Sequence, residues 1–70
     1  MNDIETLRET ERACIAKFRT KAQQLRAANP QLSMSAAMSQ AYESLPRTTN
    51  QYLYTRSLLA QMGVAALPLH

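Results

Sequence analysis

Seventy residues with a net charge of +3, one cysteine and one histidine make at most one small domain. A chain of this size buries only about 60% of its unfolded surface, so it needs well-packed helices or self-association, since a lone Cys14 excludes an internal disulfide. No Cys/His cluster exists to hold a metal, and no cofactor motif is present.

The first predicted element is a long helix over about residues 3–28. Asn2 or Asp3 caps it, and Asn2 with Glu5 has capping-box spacing. Asn29-Pro30 ends it, because the residue before proline is driven out of the α region. Ile4, Leu7, Cys14, Ile15, Phe18, Ala22 and Leu25 fall on one face. Glu11 interrupts that stripe near its middle. Three readings of it stay open. It snorkels to water from the rim. It forms a buried pair, with Arg8 one turn before it and Arg56 of the third helix in reach, that fixes register within a dimer or with a partner. It acts as a catalytic acid, a reading disfavoured because no second titratable group accompanies it. Cys14 on the same face reads as a small buried hydrophobe.

Arg8, Arg12, Arg19 and Arg26 recur at spacings of 4, 7 and 7, which places them within about 40° of one another around the helix. This ladder either solvates the flank of the core or serves as a docking strip for an anionic partner. Charge is asymmetric in the same sense. Residues 1–11 hold Asp3, Glu5, Glu9 and Glu11 against Arg8, a balance of −3. Residues 12–70 hold seven bases against Glu43, a balance of +6. Acids at a helix N-terminus also suit the helix dipole.

A second helix is expected over 34–45, capped by Ser33 or Ser35 and stopped at Leu45-Pro46. Met34, Ala37, Met38, Ala41, Tyr42 and Leu45 supply a full amphipathic stripe, and the small residues between them favour close helix packing. A third helix is expected over 49–62, capped by Thr48 or Thr49, with Gly63 just past its end. Tyr52, Leu53, Tyr54, Leu58, Leu59, Ala60 and Met62 cover most of its circumference, the pattern of a helix buried on more than one side. Residues 63–70 form an apolar tail with no obvious cover, and His70 reads as a disordered end. The expected fold is therefore all-α: a hairpin of one long helix and a proline-broken second arm, with two copies pairing as a homodimer. Leu7, Glu11, Phe18, Met38, Tyr42, Leu58, Leu59 and Met62 form the core or dimer seam. Arg8, Arg12, Arg19, Arg26, Tyr52 and Tyr54 are the candidate partner contacts, because Tyr and Arg dominate interface energies.

The segment ANPQLSMSAAMSQAYESLP, about a quarter of the chain, resembles stretches of small bacteriophage and prophage helical proteins: an NPxLS helix restart, an alanine-rich helix and a break near proline. That resemblance implies only a phage origin; the Arg ladder, the surplus apolar surface and the missing catalytic apparatus lead to the expectation of a non-enzymatic protein that binds and blocks a host regulatory or defence protein. Two other classes stay open, a small nucleic-acid-binding regulator and a virion component. The helix-turn-helix comparison is poor, since the would-be recognition helix over 49–62 carries only Arg56. No nucleophile-base pair or phosphate loop is present, so no catalytic residue is assigned. The acidic, polar start is unlike a secretory signal, and LLAQMGVAALPL is too short to span a bilayer, so a soluble, cytoplasmic protein is expected.

Overall fold

A computed structural model describes residues 3–69 and contains three helices and no strand among them: α1 (Ile4–Ala28), α2 (Met34–Ser44) and α3 (Pro46–Gln61). Asn2 and His70, and with them the expected capping box and the expected disordered end, lie outside the described residues. The molecule measures 40 × 20 × 14 Å, a flat rod two helices wide. Its length is set by α1, whose 25 residues span about 37 Å. The shorter α2 and α3 lie end to end against it and touch each other little.

Asp3 caps α1 by accepting the Thr6 N–H at 2.7 Å, and Ser33, not Ser35, caps α2 by accepting the Ala36 N–H at 3.0 Å. The third helix starts earlier than its threonines indicate. Leu45 closes α2 and opens α3 in a single non-helical residue (φ −125°, ψ 66°), and Pro46 takes the first helical position. Proline's missing N–H costs nothing there, and its fixed φ suits the helix. Thr49 is then free to donate its hydroxyl to the Tyr42 carbonyl at 2.8 Å, satisfying an acceptor left open at the end of α2. The earlier start brings Arg47 into α3 alongside Arg56.

Gly63 ends α3 as its position predicts. At φ 76° its N–H meets the Ala60 carbonyl at 3.0 Å, and the Val64 N–H meets the Leu59 carbonyl at 2.9 Å. This pair is a Schellman motif. It reverses the chain, so residues 63–69 run back along α1. The Leu67 N–H reaches the Glu11 carboxylate and the Leu69 carbonyl reaches Arg19. Leu69 packs against the core. Val64, Leu67 and Leu69 of the tail are thereby half-buried against their own chain while Ala65, Ala66 and Pro68 stay exposed, a path the sequence reading did not anticipate.

The core is built on Phe18, fully buried with Cys14 and Ala22 of α1 against Ala37, Met38 and Ala41 of α2. The two alanines let α2 approach α1 closely. Tyr42 and Tyr52 meet the Phe18 ring edge-on, at centroid distances of 4.6 and 5.6 Å, so one side chain joins α1 to both halves of the second arm. Leu7, Ile15 and Leu59 are buried as well. α3 turns only Thr55 and Leu59 fully inward. Leu58 is half-buried, whereas Leu53 (59%), Tyr54 (63%) and Met62 (43%) remain exposed. Within the single chain α3 is covered on one side alone, and Met62, expected in a core or dimer seam, takes no part in the chain's own core.

Candidate protein-docking surface

Glu11 is fully buried and is the junction of three segments. Its Oε1 accepts from Arg8 Nη1 at 2.8 Å. Its Oε2 accepts from Arg56 Nη1 at 3.0 Å and from the Leu67 N–H at 3.2 Å. Arg56 also donates from Nη2 to the Val64 carbonyl at 3.1 Å. One carboxylate thus ties α1, α3 and the tail together, the arrangement a buried charge requires. Burial by itself raises the pKa of this carboxyl. The Arg8 hydrogen bond, the Leu67 N–H and the charges of Arg56 and Arg8 outweigh it and hold the group below its ordinary value of 4.5. Glu11 is thus buried and paired rather than exposed at a rim, and all of its partners lie within the chain.

The arginine ladder divides into distinct roles. Arg8 is committed to Glu11. Arg12, Arg19 and Arg26 are exposed. Arg19 donates its Nε–H to the Leu69 carbonyl at 2.9 Å, and Arg26 donates its Nε–H to the Leu32 carbonyl at 3.1 Å. Both bonds use Nε alone. The paired Nη groups, the fork that grips carboxylate or phosphate, have no hydrogen-bond partner among the described residues. Each guanidinium is therefore held in place at one end and open at the other.

These arginines border a groove. Arg12, Ile15, Ala16, Arg19, Thr20 and Gln23 form one wall and the floor, and Leu67 and Pro68 of the tail form the other wall. At Gln23 the groove meets a second hollow lined by Arg26, Ala27 and Pro30. Gln23 is common to both, and the lining residues of this shallow trench run along α1 for about 22 Å between positions 12 and 27. On the opposite flank, Lys17 and Lys21 border another hollow, which shares Ala16 and Thr20 and is closed by Leu45. No acid occurs between Glu11 and Glu43, so both edges of this surface are basic.

The tyrosines divide in the same way. Tyr52 packs on Phe18, and burial pushes its phenol pKa up. It lines a small apolar hollow with Tyr42, Thr49 and Leu53. Tyr54 stands free. Cys14 is buried with Gln51 Oε1 at 3.9 Å, and burial raises its thiol pKa, so it is an inert core group. Among the described residues no three His, Cys, Asp or Glu side chains gather as a metal would need. No helix among the described residues is long and apolar enough to cross a membrane.

The phase of the ladder was readable from its spacing. The contribution of Leu67 and Pro68 to the groove was not, because nothing in VAALPLH indicates where an aperiodic tail will lie. No protein-family model matches the chain, and searches of curated proteins and of solved structures likewise return no match.

Proposed function

We propose that this chain is a protein-binding module that acts by docking rather than by catalysis, and that the groove along α1 is its docking surface. The observation that carries this reading is the anchoring of Arg19 and Arg26 through Nε, which leaves two oriented, unspent guanidinium forks on one helix edge. Orienting a side chain before binding removes much of the entropy cost of recognition. Occupying an acidic surface on a regulatory or defence protein would block whatever that surface normally meets, and the phage-like segment in the middle of the chain fits such an inhibitor in a host cytoplasm. The exposed Leu53 and Tyr54, adjacent on the solvent side of α3, are separate apolar residues through which two copies would pair. Light scattering on the purified protein reads that pairing directly, as twice the 7.9 kDa chain mass.

The test is a charge reversal at Arg12 and Arg19. The wild-type chain, tagged and passed through a nuclease-treated bacterial lysate, should retain a specific protein, and the Arg12→Glu/Arg19→Glu variant should lose it. Retention by the variant would remove the groove from the binding surface. Retention that vanishes on nuclease treatment would instead favour a nucleic-acid-binding regulator. The acid-free run from residue 12 to 42, with five basic residues, is the observation on that side.

A further inference from the structure

The spacing of the open guanidiniums points to the kind of partner the groove takes. Arg12, Arg19 and Arg26 are seven residues apart, which sets them about 10.5 Å from one another along α1, two turns each, with only a small angular drift. An α-helix carrying acids at positions i, i+7 and i+14 presents carboxylates at the same interval and on one edge. We infer that the groove receives an acidic amphipathic α-helix of a partner protein, its heptad-spaced Asp or Glu side chains meeting Arg12, Arg19 and Arg26. This inference rests on the docking reading above and adds the partner's shape and charge pattern to it.

Three features of the surface agree with a helical occupant. The solvent side of α1 between its two basic edges alternates the small Ala16, Thr20 and Ala27 with the longer, exposed Gln23 and Gln24, so a second helix can approach over the small positions with the glutamines turned aside. The trench is about 22 Å long, enough for four turns of a partner. Lys17 and Lys21 on the far edge give a second row of cations for acids on the partner's other flank. Duplex nucleic acid matches less well. Its phosphates repeat every 3.4 Å along each strand and wind around the axis, whereas these three arginines hold one straight edge.

The experiment titrates the full chain into fluorescently labelled probes at low ionic strength and reads anisotropy. One probe is a helical alanine-glutamine peptide with three glutamates seven positions apart. A second has the same composition with its glutamates five apart, which scatters them around the helix. A third is a short DNA duplex. The heptad peptide should bind at least about tenfold more tightly than its isomer. Arg19→Lys, which keeps the charge but has neither Nε anchor nor fork, should remove most of that preference. Equal binding of the two peptides, or binding of neither, overturns the helical partner and leaves the Arg12/Arg19 capture result to stand or fall alone. DNA binding tighter than either peptide overturns the helical partner and the protein-docking reading together.

Discussion

Replacing Glu11 by alanine is expected to remove a large share of the chain's stability at 25 °C. The substitution strips the carboxylate from Arg8, Arg56 and the Leu67 N–H at once and leaves Arg56 mostly buried without its counter-charge. Breaking a buried pair from one side costs about 3–5 kcal/mol. The arginines keep some contact with water, which places the expected loss near the lower end, about 3 kcal/mol. Total stability for a domain of this length is only about 4–10 kcal/mol, so that loss is a large share. Urea denaturation followed by far-ultraviolet circular dichroism measures it. Replacing the pair together, Glu11→Leu with Arg56→Met, should recover most of the stability, since apolar packing substitutes well for a buried ion pair. A Glu11→Ala protein as stable as wild type would show that the junction holds nothing.

The same carboxylate sets a pH dependence. Its folded pKa lies below the ordinary 4.5, so its contribution is complete above the unfolded value and is lost as pH falls through the folded one. Wild type should therefore lose stability as pH drops below about 4.5, and Glu11→Ala should lose less over that window. A small slope should persist in the variant, because Asp3 at the start of α1 is also lowered by its bond from the Thr6 N–H.

Phe18→Ala is the second large effect. The ring is wholly buried and touches both Tyr42 and Tyr52, so its removal opens a void where the two halves of the second arm meet α1. Substitutions of this kind cost about 3–5 kcal/mol, and α2 and α3 share too little direct contact to close the gap by collapsing together. Phe18→Leu should cost less than half as much. The urea midpoint and the near-ultraviolet tyrosine signal report the change, and a loss under about 1 kcal/mol would place the centre of the core elsewhere.

Most of the helical framework was legible in the sequence because its signals are side-chain signals. Asn29-Pro30, Ser33 and the Met34–Met38–Tyr42 stripe each name a boundary or a face. The start of α3 was misread because Thr48 and Thr49 look like caps, whereas Pro46 had already supplied the first helical residue. Glu11 was ambiguous for a physical reason: a carboxylate in an apolar stripe is tolerable only with partners, and Arg56 lies 45 residues away in sequence. The path of the tail was not legible at all. Its ties run through the Val64 and Leu69 carbonyls and the Leu67 N–H, groups that nearly every residue possesses. The same blindness hid the anchoring of Arg19 and Arg26, whose acceptors are backbone oxygens too. Leu58 and Met62 lie about 100° and 60° around α3 from the buried Leu59, so the side of the helix that packs on α1 leaves one half-buried and the other exposed.

The claim that two arginines are held ready for a partner is tested most directly in the free protein, by nuclear magnetic resonance of the arginine Nε–H groups. Arg19 and Arg26 should give slowly exchanging Nε–H signals with measurable coupling across the hydrogen bond to the Leu69 and Leu32 carbonyls. Arg12, which has no such acceptor among the described residues, should exchange as freely as an arginine in a short peptide. Fast exchange at all three positions would mean that the guanidiniums are not pre-oriented, and the docking groove would lose its defining feature.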